Sequence, residues 1–186
     1  MNAPSGRAEP VGQRAGKENS EIRCFSCGAL VPDSEGPAHR YMLSAPGCWH
    51  RFGEVLAREY ENRDYWPLHR LTVDCFAVQH PGEPNPQAIQ SVAVHLISLY
   101  MVLERNVPPE RSTRLLKDAV KSSVKFHWLE PPDFRGERTV MDVHATSTAQ
   151  AHLEAVRAWA ESCWQAWSDH RETIQKWLPF DQASAR

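Results

Sequence analysis

Cys24 and Cys27 stand two residues apart, directly before Gly28, and His39, Cys48 and His50 follow soon after. A Cys-x-x-Cys pair can turn both sulfurs towards one tetrahedral ion from a tight turn, and the glycine supplies the positive φ that such a turn needs. The segment therefore predicts a zinc site. Ordinary thiols or a redox pair are the other reading of the motif, but thioredoxin-like chemistry expects a βαβ context that the surrounding pattern lacks. Cys48 and His50 fall in what should be the first turn of a helix, two residues apart. Their side chains then diverge by about 200° and cannot easily share an ion. His39 with Cys48 is the better completion, so the predicted ligands of Zn2+ are Cys24, Cys27, His39 and Cys48. A thiolate at a helix N-terminus is favoured by the dipole and the free N–H groups, which suits Cys48 to bind metal. Four protein ligands leave no open position, and the metal is expected to be structural.

A second group of residues could do chemistry of another kind. His69, His95 and His170 lie within or beside the apolar stripes of three different helices, and facing helices of a bundle bring distant side chains together. Three imidazoles and a free position would make a catalytic divalent-ion site. Asp74, on the opposite margin of its helix from His69, could only stand behind such a site or cap. The competing reading has each imidazole buried with its nitrogens satisfied by a carbonyl or hydroxyl. His80 and His152 cannot join the other histidine of their own helix on one ion, since the eighteen residues from His152 to His170 span about 27 Å. Cys75 and Cys163 fall on apolar stripes and read as small buried hydrophobes. Trp159, Trp164 and Trp167 read as core packing, with only Trp167 in the central stripe. Arg105, Arg111, Arg114, Lys117, Lys121 and Lys125 read as a solvated face, because no aromatic side chains are interleaved as a nucleic-acid surface would require.

The elements that must carry these residues are helical. Pro46 begins a helix to residue 61 with a stripe of Trp49, Phe52, Leu56 and Tyr60. Pro67 begins a second, with Leu68, Leu71, Cys75 and Val78 on one side, which Pro81-Gly82 stops near His80. Asn85-Pro86 is a cap and a first-turn proline for a helix to about Arg105, and Pro108-Pro109 opens a shorter one to about Val120. Residues 121–145 predict a long irregular connection, with Thr139-Val140 suggesting a short hairpin. Ser147 and Gln150 have capping-box spacing, and an unbroken period from Leu153 to Ile174 predicts a helix of about 30 residues ended by Pro179.

The fold class expected is all-α, a bundle of four to five helices with an N-terminal zinc-binding loop. Its parts are a disordered tail over residues 1–20, the zinc loop over 21–50 and the bundle over 46–178, loop and bundle forming one domain. A chain of 186 residues is long enough to bury a core without disulfides. Five cysteines, an odd number, and the lack of an apolar leader point to a reduced, cytoplasmic protein. A formal charge of -2 with mixed signs gives no field for nucleic acid or an anionic membrane, and no stretch reaches the roughly 20 apolar residues of a membrane span.

The runs Cys24–Asp33, Gly36-Pro37, His39-Arg40-Tyr41, Pro46-Gly47-Cys48-Trp49, Leu68–Asp74, Gln79-His80-Pro81-Gly82 and Gln90–Leu96 resemble a bacterial family of unknown function, the domain of unknown function 5946 family. The resemblance covers residues 24 to about 178. It draws attention to His39, Cys48, His69, Asp74, His80, His95 and His170 as members of recurring patterns, and implies no role for them. At the level of fold alone, a bundle with inward histidines is similar to metal-dependent enzymes that use three histidines for thiol transfer or hydrolysis, although no paired His-x-x-x-His motif is present. The function expected first is zinc-dependent structure with binding of a small molecule or protein partner. The alternatives are a metal-dependent hydrolase or transferase using His69, His95 and His170, and a nucleic-acid-binding regulator.

Overall fold

The structure, a computed structural model, describes residues 20–121 and 125–178, without the side chains of 117–121. The tail expected over residues 1–20 falls outside these, Ser20 excepted, as does the helix stop expected at Pro179. The described chain is mostly helical. It opens on a small antiparallel hairpin, β1 (Glu21–Arg23) and β2 (Leu30–Pro32), in the register Glu21 with Pro32, Ile22 with Val31 and Arg23 with Leu30. Helix α1 spans Pro46–Glu61, and a 3-10 turn over Arg63–Leu68 leads into α2 (His69–Gln79). Then come α3 (Pro86–Leu103), α4 (Pro109–Lys121), α5 (Val140–His144), α6 (Ala149–Ala166), a 3-10 turn at Ser168–His170 and α7 (Arg171–Lys176).

Helix α2 is the centre of the molecule, in contact with α1, α3, α4 and α6. It is buried nearly all round although it carries Thr72, Asp74 and Gln79, and His80 follows at its C-cap. Buried polar groups cost free energy unless paired, so each of these must have a defined partner. Gln79 shows how. Its Nε2 donates to the carbonyls of Arg135 (2.9 Å) and Arg138 (2.7 Å), and its Oε1 accepts from Trp159 Nε1 (2.9 Å). One amide thus ties the connection before α5 to both α2 and α6. Helix α3 has the length and hydropathy of a membrane span, but 56% of it is buried inside the fold. It reads as the core helix.

Seven α-helices are found among the described residues where four to five were expected, for two local reasons. The period from Leu153 to Ile174 runs through a break at Trp167, whose φ of -91° and ψ of 13° end α6. A single apolar face serves both pieces, since Trp167 and Ile174 are both fully buried, so periodicity alone cannot reveal the break. Thr139-Val140, read as strand, is instead the cap and first residue of α5. The Thr139 hydroxyl accepts from Met141 N, and the Asp142 carboxylate accepts from Thr139 N (2.8 Å). No strand occurs among the described residues of 121–145. The cap of α6 is Thr148, one residue beyond Ser147. Asn85 caps α3 as expected, accepting from Gln87 N and Ala88 N at 3.0 Å.

The buried face of α1 is also rotated by about one position. Cys48, Phe52, Val55 and Glu59 face inward, while Tyr60 is 66% exposed. Both series keep helical spacing, and a buried carboxylate is the last residue that a hydrophobic count would choose.

Candidate metal centre

The turn between β1 and β2 holds the first two candidate ligands, Cys24 and Cys27. Cys24 N donates to Ala29 O and Gly28 N to Cys24 O, each at 2.8 Å, and Gly28 takes a φ of 75°. That left-handed conformation is why glycine follows the pair, since a Cβ there is disfavoured by about 1 kcal/mol. Ala45 N donates to the Cys24 sulfur (3.4 Å). Cys48 comes from the first turn of α1, fixed by Pro46 at its start. The fourth corner is His80, at the C-cap of α2.

The ligand atoms of Cys24, Cys27, Cys48 and His80 all lie within 4.8 Å of one another. Zinc bonds of about 2.3 Å to sulfur and 2.0–2.1 Å to nitrogen place two sulfurs of a tetrahedron about 3.8 Å apart, and a sulfur and a nitrogen about 3.6 Å apart. The Cys27 and Cys48 sulfurs are 3.8 Å apart, and His80 Nε2 is 3.6 Å from the Cys24 sulfur and 3.5 Å from that of Cys48. The donors fit a tetrahedral soft cation. His80 is also oriented as a ligand, because its Nδ1–H donates to Phe76 O (2.7 Å) and the Nε2 lone pair is left free for a metal. The C-terminal end of α2 favours a cation there.

Electrostatics makes the same demand. Hydrogen bonds from Cys27 and Cys48 hold the Cys24 thiol far below its ordinary range, with His80 assisting against burial. Cys27 is pushed up to about 12, foremost by its hydrogen bond to Cys24, and Cys48 is pushed up by its bonds to Cys24 and Cys27. A divalent cation held by Cys24, Cys27 and Cys48 would favour their thiolate forms.

Cys24, Cys48 and His80 are buried, and Cys27 is partly exposed. The Phe76 ring stacks on His80 and on Phe52, with centroids 4.0 Å apart in each case, and closes the bundle side. Arg135 covers the other side by donating to Ser26 O and to Ser26 Oγ (2.9 Å), inside the Cys-x-x-Cys turn. Burial lowers the Arg135 pKa while the sulfurs of Cys27 and Cys24 hold it up. Beyond the turn, Gly82 has a φ of 71°, and a Cβ there would meet Tyr41 O at 2.2 Å. The residues after His80 can therefore lie directly on the 39–43 loop.

His39 is not at the centre. Its Nδ1 accepts from Tyr41 N (3.4 Å) and Met42 N (3.3 Å), and its ring packs against Tyr41 and Trp49. The imidazole shapes the loop locally, and burial lowers its pKa. His50 is 71% exposed and 3.9 Å from Glu54. Replacing either by Ala is expected to leave bound zinc unchanged in elemental analysis, with His39→Ala costing a modest amount of stability.

His69, His95 and His170 are not brought together. His69 Nδ1 pairs with Glu59 Oε2 (2.6 Å), His95 Nδ1 with Asp74 Oδ1 (2.7 Å), and His170 Nε2 with Glu130 O (2.8 Å). Among the described residues the Cys3His group is the one cluster of three or more ligating side chains close enough to share an ion. Asp74 is fully buried and also takes Arg70 Nη2 (2.8 Å). Glu59 is the functional-looking residue that sequence reasoning missed. It is buried and accepts from Thr72 Oγ1 (2.5 Å) and His152 Nε2 (2.9 Å) besides His69. Cys75, Cys163, Trp159, Trp164 and Trp167 are buried in the core. Arg111, Arg114 and Lys125 are exposed.

Residues 22–168 match the family described as Family of unknown function (DUF5946). The chain belongs to the DUF5946 family. All four members of the cluster fall within the matched stretch, as do Glu59 and Asp74, whereas His170 lies beyond it. No curated protein and no solved structure matches the chain. Membership in DUF5946 brings no activity with it, so the functional reading rests on the geometry.

Proposed function

We propose that this is a cytosolic zinc protein in which one Zn2+, held by Cys24, Cys27, Cys48 and His80, fastens the N-terminal hairpin to the start of α1 and the end of α2. Its work is binding of a small molecule or protein partner, and the metal is structural. The observation that carries this reading is the tetrahedral spacing of four protein donors, with His80 Nδ1 already anchored on Phe76 O. Four protein ligands leave zinc no position for substrate. The hairpin segment also needs such a fastening. Between residues 20 and 44 only Cys24, Ala29 and Val31 enter the buried apolar core, too little to hold a segment of that length against its conformational entropy. Free thiols at all five cysteines suit a reducing compartment.

Elemental analysis of the purified protein tests the reading. One zinc per chain is expected, and none in the Cys24→Ser/Cys27→Ser variant. Two metals per chain, one of them surviving in the variant, would overturn the purely structural assignment and restore a second metal site in the bundle.

A further inference from the structure

The three cysteines of the metal centre are not equally accessible. Cys24 and Cys48 are 1% and 0% exposed, whereas Cys27 is partly exposed. The turn that carries Cys27 also faces solvent, with Phe25 70% exposed. The Cys27 sulfur stands 3.8 Å from that of Cys48, so a disulfide of about 2.05 Å needs a movement of about 1.8 Å shared between two side chains. Cys24 is the less suitable partner. Its sulfur accepts from Ala45 N (3.4 Å), and its backbone is bonded to Ala29 O and Gly28 N across the turn. A hydrogen bond that stabilises a thiolate also lowers its nucleophilicity.

A reachable thiolate beside a second, resolving thiolate is the arrangement of a cysteine that senses oxidants. A divalent cation favours the thiolate, the nucleophilic form, at both. The two sides of the hairpin would respond differently to loss of that cation. Strand β2 packs on α1, where Gly47 leaves no room for a Cβ against Pro32 O. The end of α2 is joined to the hairpin through His80, whose Nε2 is 3.6 Å from the Cys24 sulfur.

We propose that the metal centre is a peroxide-responsive switch, in which oxidation joins Cys27 to Cys48 and releases zinc. The proposal rests on the reading of the cluster as a zinc site. The Cys27 thiolate attacks one oxygen of hydrogen peroxide, the O–O bond breaks and hydroxide leaves, giving a sulfenic acid. The Cys48 thiolate then attacks the Cys27 sulfur and expels a second hydroxide. Two electrons pass from the sulfurs to peroxide, and two of the four ligands are consumed, which leaves Cys24 and His80 too few to complete a tetrahedral site. The new bond keeps the hairpin on α1, and the end of α2 is let go.

Hydrogen peroxide added in slight excess to the zinc-loaded full chain, with a chromogenic zinc chelator present, tests it. Loss of the zinc is expected in step with loss of two thiols, and peptide mapping should find Cys27 joined to Cys48. A phosphine reductant with added zinc should restore both thiols and metal. Cys27→His, which keeps four donors for the ion, should retain its zinc under the same oxidant. Zinc held by the parent chain after oxidation, a Cys24–Cys27 disulfide in place of Cys27–Cys48, sulfinic acid without a disulfide, or release from Cys27→His at the parent's rate each overturns the proposal. Where Cys27→His does not load zinc, the parent's disulfide map decides by itself. Zinc measured before the oxidant is added keeps the two readings apart. A chain that carries none overturns the zinc reading and this proposal together, and a chain that carries zinc and keeps it overturns this proposal alone.

Discussion

His80→Ala is expected to purify without zinc and with its N-terminal hairpin detached. Structural zinc in small domains contributes apparent binding energies of about 10–16 kcal/mol at neutral pH, comparable to the whole stability of a typical domain of about 5–15 kcal/mol. The bundle has its own core in α2, α3 and α6, so the loss should concentrate where burial is thinnest. Amides of residues 21–32 should exchange freely, and the thermal midpoint should fall by roughly 10 °C or more, corresponding to at least about 3 kcal/mol in a chain of this size. Cys48→Ser should behave alike, whereas Cys163→Ala, a buried thiol outside the cluster, should keep its zinc. A His80→Ala protein that retains one zinc per chain would return the fourth position to another residue and end the assignment.

The second large effect is expected at Glu59. Its buried carboxylate receives Thr72, His69 and His152. Glu59→Ala removes all three partnerships and leaves two imidazoles and a hydroxyl unpaired, a class of change that costs about 3–5 kcal/mol. Glu59→Gln keeps the volume and some hydrogen bonding, and should cost less. The pH dependence follows from the carboxylate itself. Burial, the largest influence, pushes its pKa up, but hydrogen bonds from His152, His69 and Thr72 and the charge of His69 together hold it below the ordinary 4.5. A depressed folded pKa means that this stabilisation is complete above the unfolded value and is lost as pH falls from about 4.5 through the folded one. Urea unfolding of the parent and Glu59→Gln proteins from neutral to acid pH should therefore show a stability difference that narrows below about pH 4.5. A difference that stays constant through that range would remove Glu59 as its source.

The sequence by itself determined whatever depends on near neighbours. Cys24, Cys27 and Gly28 announce a metal turn because two sulfurs and one positive φ are a matter of covalent spacing, and Cys48 belongs with them because Pro46 places it in a helical first turn. The starts of α1 and α3, the burial of Cys75 and Cys163 and the all-α class are legible for the same reason. The fourth corner of the cluster was not. His39 is near in sequence, yet its ring turns to the N–H groups of Tyr41 and Met42, while His80, 56 residues after Cys24, arrives because α2 ends beside the hairpin. The resemblance drew attention to both histidines, but nearness along the chain put His39 at the site and left His80 out. Only the tertiary structure placed His80 rather than His39 in the cluster, along with the break of the last long helix at Trp167, the one-position rotation of α1 and the burial of Glu59. The physical cause is common to all four. Periodicity and capping report a residue's interactions with its own segment, whereas the choice between two imidazoles, or between Tyr60 and Glu59 as the inward side chain, is set by which distant groups stand ready to pair with them once the helices have packed.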